Sequence, residues 1–152
     1  MIVRNCQLLG IDIGSETISI CRADYSGNLY SNVAFNLPDP PMPGAVTVAI
    51  SDYIVLVDPY FKADLVGVSF LGEIDSTERI LKSCTHLSGW LNVPFADWLE
   101  IRISRKVKLV SPIKCLQVSQ KHDVKNNDID KGLLSSIGAA LLAYERFKCF
   151  LD

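Results

Sequence analysis

Asp12 and Gly14, one residue apart at the end of an apolar run, are the first residues whose types and spacing could do chemistry. Leu8-Leu9-Gly10-Ile11-Asp12-Ile13-Gly14-Ser15-Glu16-Thr17 reads as a buried strand that ends in a carboxylate and then turns. Glycine permits a sharp turn and lets a bound group come close to the backbone. Amide N–H groups in such a turn can cradle a phosphate. Asp12 is placed to hold Mg²⁺, directly or through water. The competing reading is a turn carboxylate that caps local N–H groups. Further carboxylates stand at Glu73, Asp75, Asp128 and Asp130. There are five cysteines, Cys6, Cys21, Cys84, Cys115 and Cys149, an odd number without a Cys-x-x-Cys pair. The two histidines, His86 and His122, do not complete a cysteine pair, so no zinc site is expected. Reduced thiols suit a cytoplasmic protein, several of them buried as small hydrophobes.

The chain that must position these groups has 152 residues, 49% of them hydrophobic and 21% charged. That composition fits a folded single domain over residues 1–152 with a real core. Net charge is −2 and there is no long basic run, so neither nucleic acid nor an acidic membrane surface is an expected partner. The N-terminal apolar run is interrupted by Asp12, and no signal peptide or membrane span is read.

Residues 6–13, 17–24 and 28–35 read as three strands, with Ser26-Gly27-Asn28 in the second turn. Pro38, Pro40, Pro41 and Pro43 make 37–44 a loop. A helix is expected over 45–57, although Val46, Val48 and Ile50 also alternate. Residues 65–70 read as a buried strand, 71–73 as a turn and 87–93 as a loop carrying Trp90. A helix over 94–104 starts on Pro94. Its apolar positions are Phe95, Trp98, Leu99 and Ile101 to Ile103, with Asp97 and Glu100 facing water. Trp90 and Trp98 are expected as core anchors. Residues 107–110 form a short strand, 116–131 a polar junction and 132–150 a strong helix. The expected order is β-β-β-α-β-α-β-α, a mixed sheet with helices on its faces.

Three segments carry a more specific pattern. Asp64-Leu-Val-Gly-Val-Ser-Phe-Leu-Gly-Glu-Ile-Asp75 resembles a Gly-Val-…-Pro-Gly-…-Asp segment of the ROK sugar kinases (repressor, ORF, kinase), which include glucokinases. Leu87-Ser-Gly-Trp-Leu-Asn-Val-Pro-Phe-Ala-Asp-Trp-Leu-Glu100 resembles the next segment of that family, a Gly-Trp turn, Val-Pro and a Trp-Leu-Glu helix. Arg105-Lys-Val-Lys-Leu-Val110 resembles the strand that leads to its catalytic carboxylate, and Gly10-Ile-Asp-Ile-Gly14 its first phosphate motif. The proline loop, Pro43-Gly-Ala-Val46 and Cys115 are similar to cyanobacterial members. Ser136-Ile-Gly-Ala-Ala-Leu-Leu-Ala143 resembles the closing helix that packs back on the N-terminal lobe.

The resemblance implies the ribonuclease-H-like, actin/hexokinase-type ATPase fold, with residues 1–115 as the N-terminal lobe and 132–150 as the closing helix. It implies phosphoryl transfer from ATP, with Mg²⁺, to glucose or a similar hexose. Asp12, Gly14, Ser15 and Thr17 would form the nucleotide side, Asp12 serving the metal. Glu73, His86, Gly89 and Ser111 would lie toward the sugar. Where the family carries Asn-Asp after the last strand, this chain has Ser111-Pro112. The family's aspartate is the base for the sugar 6-hydroxyl, and proline has no carboxylate. Leu71 replaces a proline and His86 an asparagine. No second Gly-rich phosphate loop, Glu-x-Gly-His motif or Cys-rich zinc motif is found, so the central C-terminal lobe is expected to be missing. The resulting expectation is a truncated, impaired hexose kinase homologue. A non-catalytic binding or regulatory module, with exposed apolar surface favouring a homodimer, is the main alternative. A Mg²⁺-dependent ribonuclease-H-like nuclease or resolvase, using Asp12, Glu73 and Asp128 or Asp130, is the lesser one.

Overall fold

The computed structural model describes residues 7–24, 26, 28–84, 86–111 and 138–139. Three strands open the chain: β1 (Gln7–Ile13), β2 (Thr17–Asp24) and β3 (Leu29–Asn36). They pair antiparallel because both turns are tight. Gly14 N–H donates to the Thr17 carbonyl at 2.9 Å, closing the first turn around Ser15 and Glu16. Asp24 organises the second, accepting from the Asn28 N–H at 3.0 Å and from the Tyr30 hydroxyl at 2.6 Å.

Helix α1 (Pro43–Val57) then crosses to β4 (Ala63–Phe70), and α2 (Phe95–Ile103) leads into β7 (Lys106–Val110). Strands β1, β4 and β7 are parallel, giving a five-stranded sheet in the order β3-β2-β1-β4-β7. Two very short strands, β5 (Glu73–Ile74) and β6 (Leu81–Ser83), form a separate hairpin. None of the described helices is long and apolar enough to cross a membrane.

Both helices cover one face of the sheet. Val46, Ile50, Ile54 and Val57, spaced at helical period, turn α1 toward Leu9, Ile11, Ile18, Ile20, Val66 and Val68. Trp90 fills the space beside Phe70 and Phe95, with ring centroids 4.8 and 5.4 Å away, and its indole N–H donates to the Pro41 carbonyl at 2.9 Å. The other sheet face is also buried at Leu8, Gly10, Cys21, Ala23, Leu65, Gly67 and Ser69. Its small side chains suit a closely approaching element. Gly138 and Ala139 are helical and buried. The expected junction over 116–131 and the rest of the helix over 132–150 lie outside the described residues.

The amino ends of β4 and β7 share one buried ion pair. Asp58, 3% exposed, accepts from Arg105 Nη2 at 3.0 Å and from the N–H groups of Lys62 and Ala63 at 2.9 and 3.0 Å. Arg105 also donates to the carbonyls of Ala63 and Ile103, and its guanidinium lies 4.0 Å from the Phe61 ring centroid.

Three expectations are corrected. The described element order is β-β-β-α-β-β-β-α-β, because a β5–β6 hairpin follows the turn read at 71–73, where no strand was expected. Trp98 and Ile101 are 41% and 82% exposed instead of core residues. Helix α2 turns Phe95, Ala96, Leu99 and Ile103 inward, and positions 98 and 101 fall on its opposite side. Glu100 does not simply face water: both its oxygens accept from the Arg79 guanidinium, at 2.8 and 2.7 Å, and one also accepts from the Val107 N–H at 2.9 Å.

Asp58→Asn keeps the shape and removes the charge, leaving Arg105 buried without its counter-ion. It is expected to cost about 3–5 kcal/mol. Urea unfolding checks this, and a loss below about 1 kcal/mol contradicts the assigned role.

Candidate functional site

The carboxyl ends of the three parallel strands stop together. Ile13 on β1 is opposite Phe70 on β4, and Ser69 on β4 is opposite Val110 on β7. Beyond them lie Gly14-Ser15, Leu71-Gly72 and Ser111. Ligands of open α/β sheets bind at this end, where strand connections diverge to opposite sides. Strand β1 is such a divergence point, antiparallel to β2 on one side and parallel to β4 on the other.

Two hollows occupy this end. The smaller, about 110 Å³, is lined by Gly14, Ser15, Phe70, Leu71, Cys84 and His86 among others. The larger, about 380 Å³, is lined by Gly72, Ile74, Asp75, Glu78, Val110 and Ser111 among others. Only the larger reaches the size usual for small-molecule sites.

The structure brings Gly14, Ser15 and His86 to one hollow and Ser111 to the other. Asp12 is half-buried and flanked in register by Ser19 and Ser69, on the sheet face away from the helices. A Cβ on Gly14 would lie 3.0 Å from the Thr17 carbonyl and 4.0 Å from Asp12 Oδ2, so the turn presses against both. Thr17 contributes that carbonyl and is itself exposed. Glu73 is exposed, with Lys82 Nζ at 3.5 Å, and lines neither hollow. Gly89 adopts φ +85°, and a Cβ there would meet Met42 Cε at 2.6 Å. Its positive φ, which favours glycine, turns the chain just before Trp90, whose indole N–H reaches the proline loop. Among the described residues no three His, Cys, Asp or Glu side chains gather to hold a metal. Asp128 and Asp130 lie outside the described residues, as does Pro112.

Sequence reasoning missed what shapes the larger hollow. A Cβ on Gly72 would fall 2.3 Å from the Ser83 carbonyl, so the Leu71-Gly72 backbone lies hard against β6. Asp75 builds the loop between β5 and β6. Its carboxylate accepts from the Thr77 hydroxyl and from the N–H groups of Arg79 and Ile80, both at 2.8 Å. The Thr77 hydroxyl, with those backbone donors, pulls the Asp75 carboxyl from 3.8 down to about 2. Arg79, held at the end of this loop, grips Glu100 and Asp97 on α2 and the Val107 carbonyl on β7. Partial burial raises the Glu100 carboxyl, but Arg79 and the Val107 N–H outweigh it and leave the group lowered. A carboxylate three residues after a glycine turn, with a hydroxyl two residues further on, is the legible signal for such a loop.

The ROK family model matches residues 8–141 of the chain. The chain belongs to the ROK family. No curated protein matches the sequence. Among solved structures, a ROK glucokinase from Streptomyces griseus, in complex with glucose and AMPPNP, superposes with a TM-score of 0.71 at 18% identity. That match covers 82% of this chain and 39% of the glucokinase. An inorganic polyphosphate/ATP-glucomannokinase from Arthrobacter sp. strain KM gives 0.67 at 21% identity, covering 95% of this chain and 72% of that enzyme. A ROK transcriptional regulator, a homologue of the Escherichia coli MLC protein, gives 0.65 at 11% identity, covering 78% and 31%. The ROK chain thus has the mixed sheet of the hexokinase-type, actin-like ATPase fold, and spans well under half the length of the Streptomyces glucokinase.

Because folding lowers the Asp75 pKa, its contribution is complete above about pH 4 and is lost as pH falls toward about 2. Asp75→Asn is expected to flatten the stability-versus-pH profile across that window, as read by thermal unfolding. An unchanged slope contradicts the role given to Asp75.

Proposed function

We propose that this chain carries the hexose- and nucleotide-facing half of a ROK sugar kinase site without a working general base. The observation that carries this reading is the gathering of Gly14-Ser15, Leu71-Gly72, His86 and Ser111 at one end of three parallel strands. The Streptomyces glucokinase binds glucose and AMPPNP on the same fold, and glucose with ATP is the ligand pair assigned to this chain.

The Ser15 amide would meet the nucleotide phosphates at this turn, which the Gly14 N–H closes by donating to the Thr17 carbonyl on its far side. Asp12 suits Mg²⁺: one half-exposed carboxylate beside two serines matches an ion that keeps most of its waters and completes its shell with phosphate oxygens. Bound there, the ion would neutralise charge on the transferred phosphoryl group. His86 and the Ser111 hydroxyl supply hydrogen bonds for sugar hydroxyls, with Glu73 and Gly89 further out in the same segment. Transfer also needs a base to take the sugar hydroxyl proton. Ser111 offers no basic group and Pro112 no side-chain acceptor, so binding is retained while chemistry is slowed. In this reading residues 1–115 and 132–150 act as one unit across the 116–131 junction, in the cytoplasm.

A non-catalytic regulatory module is the second reading. It is favoured by the likeness to the ROK transcriptional regulator, which shows that this fold also serves a regulator.

Coupled ADP detection with glucose and Mg·ATP tests the proposal. The unaltered chain is expected to release glucose-dependent ADP at no more than about one hundredth of an ordinary kinase rate. Losing a general base costs about 10²–10⁴-fold in rate. Glucose-dependent turnover at an ordinary kinase rate, about 1–100 s⁻¹, overturns it.

A further inference from the structure

The larger strand-end hollow is walled on one side by the loop from Asp75 to Glu78. Glu78 adopts φ +61°, in the left-handed region that favours glycine. Four non-glycine residues among those described have positive φ, and Glu78 is the one that lines a strand-end hollow. A side chain carried on such a backbone costs conformational energy, and strain of this kind gathers at ligand sites.

The backbone of Glu78 is pinned on both sides. Its N–H donates to the Asp75 carbonyl at 3.0 Å, and its carbonyl accepts from the Leu109 N–H of β7 at 3.1 Å. Ser111, two residues beyond Leu109, lines the same hollow, so the loop is stapled to the strand that delivers it. Two carboxylates line this hollow. Asp75 is committed to the loop, where it accepts from the Thr77 hydroxyl and from the N–H groups of Arg79 and Ile80. Glu78, half-buried, is the other. Lys108 directs Nζ to the Thr77 carbonyl at 3.5 Å, and no Lys, Arg or His is among the described residues lining the hollow. Ile74, Leu109 and Val110 add apolar surface. Fixed acceptors beside an aliphatic wall suit a neutral, hydroxyl-rich ring. Its hydroxyls donate to the carboxylate, and its C–H face rests on the wall.

We propose that the Glu78 carboxylate is a sugar-binding group of this hollow, accepting hydrogen bonds from hydroxyls of a neutral hexose. The assignment deepens the sugar kinase reading and rests on it. Hydrogen bonds to an ionised acceptor are the stronger kind, so one carboxylate here carries a large share of the affinity for an uncharged ligand. Glu78 holds the ring and is assigned no proton transfer.

Glucose titrations of the full chain and two variants, followed by NMR with Mg·ATP present, test it together with thermal unfolding. Glu78→Gln keeps the shape and removes the charge. Its Kd for glucose is expected to rise about tenfold or more, with Tm unchanged. Glu78→Gly relieves the backbone, so it is expected to unfold at a higher temperature while losing at least as much affinity. A side chain with only a structural role would not raise stability and lower affinity together. Glucose binding that Glu78→Gln leaves unchanged overturns the proposal and leaves the sugar kinase reading standing. So does a Glu78→Gly chain that binds as tightly as the unaltered one, or that unfolds at a lower temperature. No saturable glucose binding by the unaltered chain overturns both.

Discussion

The buried Asp58–Arg105 pair is the constraint on which the rest of the sheet depends. Asp58 ends α1 and fixes the turn into β4 through the N–H groups of Lys62 and Ala63. Arg105 follows α2 and reaches the Ala63 carbonyl at the start of the same strand. Both helical connections therefore meet at one point, at the amino ends of β4 and β7. Desolvated charges tolerate little displacement, and Arg105 loses its counter-ion when Asp58, which Arg22 Nε also approaches at 3.8 Å, moves. Fixing this end fixes register, and a slip of one residue would exchange the two faces of a strand. The identity of the residues at the opposite end, Phe70-Leu71-Gly72 and Val110-Ser111, follows from that register.

The functional end is built on a different principle. Small groups and tight turns prevail there, since a ligand needs backbone close at hand. Gly14 folds against Thr17, Gly72 against Ser83, and Asp75 holds its loop with hydroxyl and amide donors. Arg79 braces that loop on Glu100 and Val107 and so joins the site wall to α2 and β7. These contacts hold the scaffold at the carboxyl ends of the parallel strands in a chain of the ROK family.

Much of the sheet was legible because its signals are long. Alternating apolar residues and compact turns marked β1 to β3 within about one residue, and Leu65 to Phe70 stood out as a buried run. The hairpin of β5 and β6 was not legible, since strands of two and three residues show no period. The inward face of α2 was ambiguous for a related reason. Phe95, Trp98, Leu99, Ile101 and Ile103 are too many for one stripe, and packing on the sheet chose among them. Glu100 looked like a solvated acid because its partner Arg79 is far away in sequence. At the strand ends, Gly14 and Ser15 carried a readable turn signal, whereas His86 and Ser111 were named only through a resemblance from whose pattern both depart. The mutual placement of Gly72 and Ser83 came only with the fold.

The most direct test of the account is an amide-resolved NMR titration of the full chain with glucose in the presence of Mg·ATP. The account predicts saturable shifts grouped at Gly14, Ser15, Leu71, Gly72, His86 and Ser111, with a Kd at or below about 1 mM. No saturable shifts, or shifts confined to residues away from the carboxyl ends of β1, β4 and β7, would contradict it.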